Sequence, residues 1–142
     1  MKLVAYGSLI NKSSLEETLG RDVAYELIAI KDYARIFDAP FEEYAFLNLT
    51  NIPGAQFEAA CFSIKQSELS KFEVREEGSI LLEIKPDHFA FVSPAQKCKS
   101  LPVLQSYIDV CEKGCNLLGI SLWTSTIRPK TIINDRANPL YP

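Results

Sequence analysis

Residues 3–9, Leu-Val-Ala-Tyr-Gly-Ser-Leu, constrain the chain more than any other stretch. The run Leu3–Tyr6 is apolar throughout, which predicts a buried strand at the centre of a sheet, because an edge strand would carry polar breaks. It runs straight into Gly7-Ser8, and the polar stretch Asn11-Lys12-Ser13-Ser14 then leads into a helix. A strand that breaks at a glycine turn exposes successive backbone N–H groups, and Gly permits positive φ and close approach of another molecule. Such a turn suits a carboxylate or an oxyanion. The same two residues also make an ordinary strand-ending turn.

The rest of the chain supplies short elements of both kinds. Ser14–Gly20 predicts a helix, with Ser14 and Glu17 as a capping box and Gly20 as its stop. Residues 22–37 are rich in β-branched and aromatic side chains and predict one long or broken strand. A loop around Pro40, a strand over Ala45–Thr50, a turn at Asn51-Ile52-Pro53-Gly54 and a buried strand over Phe57–Ile64 follow. Gln66–Phe72 predicts a short helix capped by Ser67, which delivers Arg75-Glu76-Glu77-Gly78 at its end. Ser79–Ile84 and Phe89–Val92 predict strands around a turn at Pro86-Asp87-His88. After a loop over residues 93–100 comes a helix capped by Ser100, with an apolar stripe Val103, Leu104, Tyr107, Ile108 and Cys111, ended by Gly114. Cys115–Trp123 predicts a second helix, and the last nine residues read locally as an irregular, loosely held terminus. Mixed order without βα alternation predicts an α+β fold.

With 142 residues, nearly half hydrophobic, the chain is expected to form one domain over 1–142. A net charge of −3 and no basic cluster argue against a nucleic-acid partner. No apolar run approaches the roughly 18 residues of a membrane span, and Met1-Lys2-Leu3-Val4 does not open a signal peptide, so a cytoplasmic location without a membrane partner is expected. Cys61, Cys98, Cys111 and Cys115 form no CxxC pair, and His88 stands alone, so no metal site is expected and the thiols are expected to be reduced.

Tyr6-Gly7-Ser8-Leu9-Ile10 resembles the opening motif of the gamma-glutamylcyclotransferase superfamily, and Phe72-Glu73-Val74-Arg75-Glu76-Glu77-Gly78 resembles its Leu-Asp-x-Arg-Glu-x-Gly segment. Tyr33-Ala34-Arg35-Ile36-Phe37 is similar to its aromatic–Arg–Phe cluster, and the end of the chain, Asp135 to Pro142, resembles the Asp-Arg-x-x-Pro-x-Tyr-Pro tail of some relatives. Ala59-Ala60 and Ser79 depart from the pattern, where relatives usually carry a Gly and an aromatic residue.

The resemblance implies a small mixed, barrel-like sheet flanked by helices. It also implies cleavage of a γ-glutamyl amide, such as a γ-glutamyl peptide, a γ-glutamylamine or glutathione, to 5-oxoproline and a free amine. In that reaction the substrate's α-amine attacks its own γ-carbonyl, so no Ser, Cys, metal or cofactor is needed. One carboxylate must carry the proton from the ammonium to the leaving nitrogen, and N–H donors must meet the oxyanion. By resemblance the carboxylate is Glu76. Tyr6, Gly7, Ser8, Leu9, Arg35 and Tyr141 are the implied substrate contacts, with Tyr6 open between a positioning hydroxyl and a core residue, and Arg35 open between an anion contact and an exposed strand residue. Glu73 and Glu77 compete with Glu76; on a continued helix Glu73 would share its face and Glu77 would not. Two other readings stay open: a non-catalytic small-molecule binder on the same fold, and a different reaction, such as amide hydrolysis, in the same pocket.

Overall fold

The apolar opening run is buried because strands flank it on both sides. The computed structural model describes residues 1–94 and 101–141. The chain runs β1 (Lys2–Ala5), a 3-10 turn (Ser8–Ile10), α1 (Lys12–Leu19), β2 (Glu26–Phe41) and β3 (Tyr44–Ser63). It continues through a second 3-10 turn (Gln66–Glu68), α2 (Leu69–Arg75), β4 (Ile80–Lys85), β5 (His88–Val92) and β6 (Val103–Leu104). It ends with α3 (Gln105–Leu117), β7 (Thr126–Ile127) and β8 (Ile132–Ile133). A mixed sheet in the order β4-β5-β1-β3-β2-β7 curls into a half-barrel, and β6 pairs separately with β8. β1 pairs antiparallel with β3 and parallel with β5, so Leu3, Val4 and Ala5 lie in the core with Phe57, Phe62, Phe72 and Phe91.

The β2–β3 hairpin is longer than its punctuation suggests. Pro40 sits inside β2, not in a loop: β7 pairs with Arg35 and Ile36, and among the described residues no strand pairs with the outer edge at Pro40, so its missing N–H breaks no ladder there. Asn51–Gly54 is likewise not a chain-reversing turn. Residues 52–55 bulge opposite Asp32, whose carboxylate accepts from the Gly54 N–H at 3.0 Å, and β3 runs on to Ser63.

Helix boundaries move for similar local reasons. Asn11, not Ser14, caps α1, its Oδ1 accepting from the Ser14 N–H at 3.3 Å, and Gly20 ends the helix at φ 73°. Lys65, not Ser67, precedes the second 3-10 turn, and its N–H is met by Glu68 Oε1 at 2.9 Å. Val103 and Leu104 are a strand and not the first helical turn, because Val103 N–H is taken by Thr131 O at 3.0 Å. The proposed Ser100 cap and most of the loop before it lie outside the described residues.

Gly114 does not end α3 but lies within it. A Cβ there would stand 2.6 Å from the Asn11 nitrogen and 2.7 Å from the Ile10 carbonyl carbon, so the helix rests directly on the backbone after the first 3-10 turn. The second helix predicted over Cys115–Trp123 is absent. Cys115–Leu117 belong to α3, and Gly119, at φ 73°, turns the chain away. Cys61, Cys111 and Cys115 are buried and unpaired. No helix among the described residues is long and apolar enough to cross a membrane.

Candidate functional site

A cavity of about 1080 Å³ opens where β1 gives way to the first 3-10 turn. Tyr6, Gly7, Ser8 and Leu9 line one side, Glu76 another, and Tyr141 from the tail a third. Six of the seven residues singled out from sequence therefore face one space.

The turn at Gly7 is held by what surrounds it. Its φ is −123°, so positive φ is not why glycine stands here. An added Cβ would lie 3.2 Å from Tyr107 Oη and 3.4 Å from Leu47 Cβ, so close approach by α3 and β3 is the reason. Among the described residues no protein acceptor meets the N–H groups of Gly7, Ser8 and Leu9, while their carbonyls are engaged. Ile10 N–H donates to Gly7 O at 3.0 Å and Asn11 N–H to Ser8 O at 3.1 Å. Tyr25 donates its hydroxyl hydrogen to Leu9 O. The result is a fixed row of free donors at the mouth of a strand.

Tyr6 is buried and donates through its hydroxyl to Phe91 O. Burial, and then the fields of Glu76 and Asp38, push its phenol far up, so it stays a donor. Beside it Asp38 is fully buried in the bulge between Phe37 and Ala39, and its Oδ1 accepts from Asn48 Nδ2 at 2.9 Å.

α2 stops at Arg75, because Glu76 leaves helical geometry at φ −103°, ψ 37° and Gly78 follows at φ 86°. The continued helix on which Glu73 and Glu76 would share a face does not exist. Glu73 is exposed and outside the cavity, whereas Glu77 lies on its lining. The Glu76 side chain is 26% exposed, and burial raises its carboxyl above the ordinary range although Arg75 opposes the shift.

Arg75 does not point away, as a raised Glu76 would favour, but into the cavity. Its Nε is 3.8 Å from Glu76 Oε1. Its Nη2 donates to Ser8 Oγ at 2.8 Å, to Ser14 Oγ at 2.9 Å and to Tyr141 Oη at 3.4 Å, and its Nη1 donates to Thr18 Oγ1 at 2.9 Å. One guanidinium thus joins the turn, α1, the tail and the candidate base. Sequence reasoning placed Arg75 only within the motif at a helix end and gave it no role at the site; its place beside Glu76 was the available signal.

Arg35 is the exception. It is 0% exposed and outside the cavity, neither an anion contact nor an exposed strand residue. Its guanidinium donates to Tyr6 O at 2.8 Å, Leu122 O at 3.2 Å and Glu58 O at 3.1 Å, and stacks 4.3 Å over Phe57. Through Tyr6 O it holds the strand end from which the turn departs. Tyr107, read from sequence only as part of an apolar stripe, also lines the cavity, and its Oη accepts from Leu47 N–H at 3.1 Å.

The tail is not loose. Asp135 accepts from Ser106 N–H at 2.9 Å, from Ser106 Oγ at 2.6 Å and from Leu140 N–H at 3.1 Å. Tyr141 packs edge-on against Tyr107, with ring centroids 5.0 Å apart.

Neither a family model nor a curated protein matches the sequence. Solved structures do match the fold. A gamma-glutamyl cyclotransferase superposes with a TM-score of 0.71 at 13% identity, over 83% of this chain and 79% of that one. The human protein loc79017 gives 0.66 at 13% identity, again over 83% of this chain and 79% of that one. YkqA from Bacillus subtilis gives 0.63 at 20% identity over 82% of this chain, which spans about half (48%) of its length. The fold is therefore that of gamma-glutamyl cyclotransferase and its structural relatives.

Proposed function

We propose that the protein cleaves a γ-glutamyl amide by internal cyclisation, releasing 5-oxoproline and a free amine, with Glu76 as acid and base. The observation that carries this reading is the meeting, in one cavity, of a partly buried carboxylate of raised pKa with a row of unpaired backbone N–H groups. The fold shared with a gamma-glutamyl cyclotransferase supports it.

The chemistry follows from the parts. A γ-glutamyl substrate is a zwitterion, and its α-carboxylate suits the corner made by the Ser8 region and the Arg75 guanidinium. Its α-ammonium, with a pKa of about 8, must lose a proton before the nitrogen can attack. Glu76 takes that proton, and its raised pKa brings it closer to the ammonium. The α-nitrogen bonds to the γ-carbonyl carbon, and a five-membered ring closes. Free N–H groups of the turn stabilise the oxyanion while the bond to the leaving nitrogen breaks. Glu76 returns the proton to that nitrogen, and the second proton that the ring nitrogen sheds on becoming an amide leaves with the released amine as its ammonium. Because nucleophile and electrophile belong to one molecule, holding it in the folded conformation removes several kcal/mol of barrier.

The test is incubation with glutathione, γ-glutamyl-alanine and a γ-glutamylamine, with detection of 5-oxoproline and the released amine. Formation of both from any one compound is expected. Release of glutamate instead would mean hydrolysis, and binding without product would mean a non-catalytic binder.

A further inference from the structure

We infer that the site selects γ-glutamyl amides whose amine carries an apolar or aromatic substituent, over those whose amine carries a carboxylate. The inference rests on cyclisation at Glu76. In every such substrate the γ-glutamyl half is the same, with one ammonium and one carboxylate, and it claims the polar side of the cavity. Only the substituent on the leaving nitrogen varies, and it must take the wall that remains.

That wall is aromatic. Phe46 stands at its centre, 4.8 Å from Tyr107 edge-on, 6.0 Å from Tyr141 and 6.4 Å from Phe41. These rings come from β2, β3, α3 and the tail, and all line the cavity. Phe41 is 54% exposed and Leu140 65% exposed, both on the cavity lining, so apolar surface is left there for an occupant to cover.

Charge argues the same way. Five carboxylates line the cavity against two cations, Arg75 and Lys113. Arg75 already donates to Ser8, Ser14, Thr18 and Tyr141, and the α-carboxylate claims what it has left. Lys113 is exposed, so a carboxylate that met it would stay at the watery rim. A second substrate carboxylate against the rings would be desolvated with a phenol hydroxyl but no cation to meet it. A benzyl group there would lose only its contact with water. The reaction itself is unchanged: the α-nitrogen–carbonyl bond forms, the amide bond breaks, and two protons of the α-ammonium leave on the amine as benzylammonium.

The experiment compares γ-glutamylbenzylamide, γ-glutamylglycine and the mono-γ-glutamyl amide of 1,4-diaminobutane. kcat/KM for 5-oxoproline release should favour the benzylamide over γ-glutamylglycine by at least about tenfold, as filling an apolar subsite does. Phe41→Ala, at an exposed position the fold tolerates, should narrow that ratio several-fold. Binding of the three compounds to Glu76→Gln, measured by calorimetry, gives the same comparison without turnover. Equal or better use of γ-glutamylglycine overturns the inference and leaves the cyclisation reading standing. Preference for the diamine amide overturns it too, since the acidic lining would then outweigh the rings. If no compound yields 5-oxoproline, the cyclisation reading fails. Tighter binding of the benzylamide to Glu76→Gln would then still uphold the apolar wall, and equal binding would overturn it.

Discussion

A carboxylate that is one-quarter exposed, with a guanidinium 3.8 Å away, sits between two opposing effects, and here desolvation wins. This has a kinetic and a thermodynamic consequence. Glu76→Gln keeps shape and hydrogen bonding but cannot take up a proton, so kcat should fall by at least about 10²-fold with ligand binding near normal. The acid limb of kcat/KM in the wild type should lie above the ordinary carboxylate value of 4.5, since only the ionised form accepts a proton. The same carboxyl binds its proton more tightly folded than unfolded. Its contribution to stability therefore falls as pH rises from 4.5 through its raised native value. Glu76→Gln, neutral throughout, should melt higher than the wild type at pH 7 and lose that advantage below about pH 4.5; thermal scans at both pH values check it. Arg35 makes the complementary case. Arg35→Met leaves the carbonyls of Tyr6, Leu122 and Glu58 without their donor and should cost about 3 kcal/mol or more in urea unfolding. The Tyr6–Leu9 turn and Glu76 were singled out by a family resemblance and not by local chemistry: locally the turn reads as a plain strand end and Glu76 as one of three neighbouring carboxylates, and what the structure adds is that they line one cavity. The role of Arg35 was not legible, because whether a strand arginine meets solvent, a ligand or three carbonyls depends on elements as distant as Leu122.

Between elements, the decisive contact is α3 against the first 3-10 turn. Gly114 lets the helix approach Ile10 and Asn11 within the space a methyl would need. Gly114→Ala should therefore destabilise the protein by about 1–3 kcal/mol, read by denaturant unfolding, because backbone is a neighbour that cannot rotate away. It should also weaken ligand binding, since the displaced backbone begins one residue after Leu9. Glycine near the end of an amphipathic run reads as a stop in sequence, and nothing local separates a stop from a close crossing. The same limit explains Pro40 and Asn51–Gly54. Both carry loop punctuation, but a sheet edge that no described strand pairs with accepts one and a bulge opposite Asp32 absorbs the other. Strands β1, β4 and β5 were legible because their pattern and flanking turns agree.

In the whole molecule, the cavity takes walls from both ends of the sequence, with Tyr6 and Tyr141 on its lining. The tail reaches it because Asp135 serves as a remote cap for α3, taking the Ser106 N–H and hydroxyl while also holding Leu140. Asp135→Ala should cost about 1 kcal/mol, as loss of a helix cap does, and should open the tail to limited proteolysis while the sheet stays intact. Burial pushes the Asp135 carboxyl up, but the hydrogen bonds from Ser106 and Leu140 outweigh it and hold the net value down. This restraint is therefore present above the ordinary range and weakens as pH falls through the lowered value. A motif resemblance put Tyr141 among the implied contacts where local pattern suggested fraying, and the hydrogen bonds that dock the tail, through Asp135, were not visible in either. The Arg75 guanidinium touches Ser8 on one side and Tyr141 on the other, so a ligand held in the proposed corner and the docked tail would be two sites on one linkage cycle. Whatever factor of affinity the docked tail confers on a ligand, the ligand must return as added occupancy of the docked tail. Amide exchange at Leu140, whose N–H is held by Asp135, should slow on ligand binding by the same factor that removing the tail costs in Kd.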